Sequence, residues 1–408
     1  MYINESRIRR PAQATAGMLL VLATAFSMNA IAVKPNDVAP DRHDILWLGH
    51  ADLEGRTAYQ PTLHTQMVNG QKRVFLYVGH FGNQAPIADP TSGGTPEFNG
   101  TSIVDVTDPR HPVQVAHIPT DGRANGTSSG GAQMVRVCDG KAGVLGDDGH
   151  YHMLRNNGGG TSSTGSHEIY DVTDPAHPAL LSTIGGWFTA THKNWWECDT
   201  GIAYIVAGAG AASAQPDGWT TNQHIKVYDL SDPSDPVYIR DIGLVGQNPG
   251  SAVHTATGGV HGPISIWHNP ANPSEQVNRI YIPYGTSSNG VFQIVDRLKV
   301  LPDFTTSAGM HIAGTWNGSD AESPTDDELR ALVVGSMDMT PTEGAHTSFP
   351  MFGIPLQHYQ GFTSNTTRDI VALISEETDN KCTGSPHFGY LVDTTRAIGK
   401  GAASAGEN

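Results

Sequence analysis

Short apolar runs, each ending at an aspartate and a proline-containing turn, recur along the chain. Thr101-Ser-Ile-Val-Asp-Val-Thr-Asp-Pro-Arg-His-Pro is followed by Val-Gln-Val-Ala-His-Ile. His167-Glu-Ile-Tyr-Asp-Val-Thr-Asp-Pro and Ile225-Lys-Val-Tyr-Asp-Leu-Ser-Asp-Pro repeat the pattern, each with a second apolar run behind it. Shorter copies stand at 291–296 and 388–393. A β-branched run stopped by an Asp whose side chain bonds its own turn, with proline fixing the next φ, predicts a strand, a tight turn and a returning strand. The equivalent aspartates are Asp105, Asp171, Asp229, Asp296 and Asp393, spaced by 66, 58, 67 and 97 residues. Self-similarity at such a period is the signature of a repeat architecture.

A further apolar pair precedes each hairpin. Examples are Gln133-Met-Val-Arg-Val before Gly143-Val-Leu-Gly, and Lys193-Asn-Trp-Trp before Ile202-Ala-Tyr-Ile-Val. Each repeat therefore supplies four short antiparallel strands, the content of one propeller blade. The expected fold is all-β, a β-propeller of four-stranded antiparallel blades with five repeats visible and five to seven blades in all. The run Asp44-Ile-Leu-Trp-Leu-Gly-His-Ala-Asp-Leu reads as an outer strand with nothing before it, so the N-terminal strand is expected to complete the last blade. Within the longest spacing, Thr325 and Glu328 form the pattern of a capping box opening a short helix. The copies near 101–118, 167–184, 225–242, 291–296 and 388–393 resemble the LVIVD-repeat β-propeller proteins. That resemblance implies an exported, bacterial-type propeller and speaks to fold far more than to chemistry.

Composition narrows the class. With 47 glycines, 26 prolines and 16% charged residues among 408, neither a helical bundle nor a disordered chain fits. A net charge of −16 would repel a phosphate backbone, so no nucleic-acid partner is expected. Residues 1–32 read as a signal peptide: Arg7, Arg9 and Arg10, an apolar stretch from Gly17 to Phe26, and a cleavage site after Ala32. Residues 33–42 form a linker, 43–396 the propeller and 397–408 a flexible tail. A periplasmic or secreted location follows, with no membrane span. Export permits a disulfide, and Cys138 and Cys198 both end an apolar run before an Asp-containing turn; two buried thiols are the alternative.

Nineteen histidines are numerous for this length. His64, His192, His261 and His346 each precede a putative first strand, with Gln133 at the same place in the remaining repeat. First strands line a propeller's channel, so these imidazoles form a candidate axial copper or zinc site. His80, His150 and His152, at the ends of second strands, are weaker ligand candidates, and Glu376 and Asp148 are the candidate acid/base groups. No G-x-S-x-G, H-E-x-x-H or C-x-x-C pattern is present. The expected function is therefore a ligand- or protein-binding module with a histidine metal site, its partner a small molecule, polymer or protein on a propeller face. The alternative is a copper- or zinc-dependent enzyme, an oxidoreductase or metal-assisted lyase, using the same histidines.

Overall fold

The computed structural model describes residues 45–81, 86–120, 131–140, 149–158, 165–209, 218–221, 223–286, 288–318, 320–355, 367–376 and 387–397. The expected signal peptide, linker and most of the tail lie outside them, as do Asp148 and Cys382. By contact the chain divides after Trp47, and the larger unit from Leu48 onward carries the sheets.

Those sheets are antiparallel throughout. The first pairs β1 (Tyr59–Val68), β2 (Gln71–Gly79), β3 (Gly100–Asp105) and β4 (Val113–Pro119) in that order. The second and third, β5 (Val135–Asp139) to β8 (Ala179–Thr189) and β9 (Asn194–Trp196) to β12 (Val237–Ile242), are linked where Thr189 of β8 pairs with Gly208 of β10. Between them run β6 (Tyr151–Asn157), β7 (Gly165–Asp171), β10 (Ile202–Ala209) and β11 (His224–Asp229). The fourth sheet holds β13 (Ile264–Asn269), β14 (Asn272–Tyr284), β15 (Val291–Asp296) and β16 (Val333–Asp338). The last has three strands, β17 (Thr347–Pro355), β18 (Thr367–Ile374) and β19 (Gly389–Asp393).

The repeated aspartates explain why each third strand stops where it does. Asp105, Asp171, Asp229, Asp296 and Asp393 are the last residues of β3, β7, β11, β15 and β19. Each accepts a hydrogen bond through Oδ1 from the backbone N–H two residues on, at 2.8–3.0 Å. That Asx turn takes a donor from the ladder and bends the chain away. A second aspartate repeats the device before the returning strand, Asp108 holding Arg110 N, Asp174 holding Ala176 N and Asp232 holding Ser234 N.

Successive sheets stack face to face, and the central strand β10 is apolar on both sides. On β10, Tyr204 and Val206 pack toward Ile280, Ile282 and Tyr284 of the fourth sheet, while Ala203, Ile205 and Ala207 pack toward Leu154 and Ile169 of the second. Alternation with period two places them so. Phe75, Tyr77 and Ile103 meet Val135, Val137 and Met153 between the first two sheets, and Tyr281, Phe292 and Ile294 meet Val371 and Leu373 between the last two. Fully burying such side chains contributes about 1.5–3 kcal/mol each. This is a β-propeller arrangement.

Two expectations about the ends are corrected. The run around Leu48 forms no strand, and from there the chain follows the first sheet instead of the last. Gly49 abuts the carbonyl of Pro109 so closely that an added Cβ would lie 2.2 Å from it, and Arg56 donates to the Glu97 carbonyl at 3.2 Å. Among the described residues no strand pairs with the outer edge of β19, so closure by the N-terminal strand is not seen. Just beyond that run, Leu53, Glu54 and Gly55 all take positive φ and turn the chain away from an extended course. Between β15 and β16 the long spacing is filled by helices α1 (Arg297–Val300) and α2 (Asp326–Leu332) and a small hairpin. Thr325 and Glu328 cap α2 reciprocally, the Glu328 carboxylate accepting from Thr325 N at 2.8 Å.

Candidate metal centre

The innermost strands β1, β5, β9, β13 and β17 touch in sequence around a central cavity of about 230 Å³. Gln60 and Pro61, Met134 and Arg136, Lys193 and Trp195, His261 and His346 line it, so every sheet contributes.

The histidines are held by their neighbours' oxygens. His192 Nδ1 lies against Gln133 Oε1, and His261 Nδ1 lies 2.8 Å from the His346 backbone carbonyl. Both partners only accept, so in each ring Nδ1 carries the proton and Nε2 is a bare lone pair. Those two Nε2 atoms face one another at 2.9 Å. Two lone pairs at that distance repel, and a cation shared between them reverses the sign. His346 packs at a tilt against His261 with ring centroids 3.6 Å apart, and its Nε2 is 3.1 Å from Glu376 Oε2. The donor atoms of His261, His346 and Glu376 all lie within 4.8 Å of one another, a spacing that fits one ion.

Burial sets the charge states. It holds His192 down to a pKa of about 3, aided by the charge of Lys193, and His346 down to about 4; His261 is well below its ordinary value for the same reason. All three rings are thus neutral at pH 7, the form that binds metals. Burial raises the Glu376 carboxyl, against the pull of Lys193. Lys193 is itself buried, which lowers it to about 7, and its Nζ lies 2.8 Å from both Tyr59 Oη and Gln60 Oε1.

His64 is not part of this group. It sits inside β1 opposite Phe75, with Nε2 2.6 Å from Asp139 Oδ1 at the far end of β5. The cavity position on β1 belongs to Gln60, four residues earlier, or about 13 Å along an extended chain. Pro61 conceals that start, because proline inside a run reads as a break. His80, the residue after β2, is enclosed, its Nε2 2.8 Å from Ser102 Oγ. His150 and His152 stack on each other at 6.3 Å near the start of β6, where His152 pairs with Cys138 at the end of β5 away from the cavity. None of these three lines the cavity. His111 and His177 are exposed and bond Asp108 and Asp174 in their own turns.

Cys138 and Cys198 are joined by a disulfide, tying β5 to the turn after β9. A second set of donor atoms, from Asp89, Glu97 and His117, is grouped as tightly. Arg56 Nη2 lies 3.7 Å from Asp89 there, so a guanidinium already supplies the positive charge. Sequence reasoning passed over Arg136, Lys193 and Trp195. Their signal was proximity to Gln133 and His192 at the mouths of inner strands.

No protein-family model matches the chain, and no curated protein matches it in sequence. Among solved structures it is similar to the native arabinanase Arb43A of Bacillus subtilis, at 10% identity and a TM-score of 0.32, over 82% of this chain and 95% of that one. A GH43 endo-arabinanase from Bacillus licheniformis gives 9% identity and 0.33 over 85% and 96%. An exo-1,5-alpha-L-arabinanase from a bovine ruminal metagenomic library gives 10% and 0.32 over 83% and 92%. The expected non-catalytic binding module is corrected by this finding, since the similar structures are titled as enzymes. At that TM-score neither their substrate nor their residues are carried to this chain.

Proposed function

We propose that the chain is a metal-dependent enzyme whose reaction takes place in the central cavity, with His261 and His346 as nitrogen ligands, His192 facing His261 across the site, and Glu376 as the proton acceptor. The observation that carries this reading is the pair of bare Nε2 atoms facing at 2.9 Å, each fixed by an oxygen partner behind it. Outer partners of this kind orient ligand imidazoles in metal sites and strengthen them as donors. Imidazoles with an open side suit zinc or copper. Among the described residues, Glu376 is the carboxylate grouped with His261 and His346.

Bound here, the ion would supply a Lewis acid that polarises a substrate oxygen or an attached water. Glu376, raised by burial, takes the proton released, at the edge of the site. Trp195 and Pro61 keep the surroundings apolar, which strengthens charge interactions within. The fuller reading is an exported five-bladed propeller of LVIVD-like repeats, supported by the five identical Asx turns and by the pattern of residues 1–32.

The test is reconstitution. Chelator-treated protein refilled with zinc or copper should take up about one equivalent, and hydrolase or lyase turnover on a substrate panel should follow the metal content. His346→Ala should stay folded and lose both. A folded wild type that binds no metal would refute the proposal.

A further inference from the structure

The cavity holds a guanidinium that no carboxylate among the described residues neutralises. Arg136 is the second residue of β5 and lines the cavity wall. Its carbon Cζ lies over the Trp195 ring, 4.8 Å from the centroid, so the plane of the fork is supported by an aromatic face. Its Nε is buried without a partner, and among the described residues no carboxylate pairs with it. Leaving a charge so enclosed is costly unless something completes it. Lys193, the neighbouring cation, is different, because Tyr59 and Gln60 already hold its Nζ.

A chain with a net charge of −16 has thus placed an open Arg and a Lys around the same cavity that His261 and His346 line. We infer that Arg136 is the anchor for the carboxylate of a small organic acid, which makes the substrate of this site an anion. A carboxylate matches the fork with two parallel hydrogen bonds and a single charge, as one free guanidinium requires. A phosphate would bring a second charge with no second open cation to meet it. Trp195 and Pro61 then face the apolar part of the acid, and the carboxylate fixes its distance from the histidines. The inference rests on the proposed metal-dependent reaction for what happens after binding, but the anion pocket is measurable without metal.

The experiment is calorimetric titration of the full chain, metal-stripped and metal-loaded, with benzoate, benzyl alcohol and inorganic phosphate. Benzoate should bind in both states, and benzyl alcohol and phosphate should bind at least about tenfold more weakly, the scale of a charge-assisted pair. Arg136→Gln should lose about tenfold or more in benzoate affinity with circular dichroism and metal content unchanged. Arg136→Lys, which keeps the charge and loses the fork, should restore only part. Equal benzoate affinity in Arg136→Gln, or phosphate binding as tightly as benzoate, would overturn the assignment. Benzoate binding by a protein that takes up no metal would keep this inference and remove the enzymatic one.

Discussion

Gln133 acts on the candidate centre through His192: its amide oxygen takes the Nδ1 proton and leaves Nε2 free. Gln133→Leu removes that acceptor while keeping an apolar shape of similar size. Metal affinity should fall about 10- to 100-fold in competition titrations, with the fold intact. His64→Ala, by contrast, should leave metal affinity unchanged, because His64 answers to Asp139 and not to the cavity. Three of the histidines were legible from their places before first strands. His64 was misplaced because β1 begins several residues before its apolar alternation suggests, across the register shift between Tyr59 and Thr62. Arg136 was illegible for another reason. Whether a strand arginine faces solvent or a channel depends on which side of the sheet the next repeat covers.

At the scale of elements, two links fasten neighbouring sheets. Glu197, after β9, accepts from Arg297 Nε at 2.8 Å and Nη2 at 2.7 Å, and Arg297 opens α1 beyond the fourth sheet. Both are buried. Burial alone would raise the Glu197 carboxyl, yet the charge and hydrogen bonds of Arg297 bring it below the ordinary value. Arg297→Met strands that carboxylate and should destabilise the chain by about 3–5 kcal/mol in denaturant titrations. The Cys138–Cys198 disulfide closes 60 residues of sequence. Cys198→Ser should cost about 2–4 kcal/mol by the same measurement, without altering metal uptake. The repeated strands themselves were readable because each Asp writes its turn in the sequence. The strand order at the N-terminus was not, since an apolar run names an edge without naming its partner.

For the whole molecule, acid is the expected weakness. Burial keeps His167 down to a pKa of about 4 and His80 to about 3, against an ordinary 6.5. Because the folded values are lower, the unfolded chain takes up these protons first as pH falls. Their stabilisation is complete above 6.5 and is lost progressively toward the folded values. Each should cost about 2 kcal/mol by roughly pH 5, seen as a falling Tm in a pH series. A Tm that stays level over that range would show that these rings are solvated in the native protein.

Anomalous diffraction at the zinc and copper edges, on crystals of protein purified with its native metal content, addresses the centre directly. The predicted result is one strong peak in the central cavity, within bonding distance of His261 and His346, and absent from crystals of His261→Ala. No peak there, or a peak only beside Asp89, Glu97 and His117, would contradict the account.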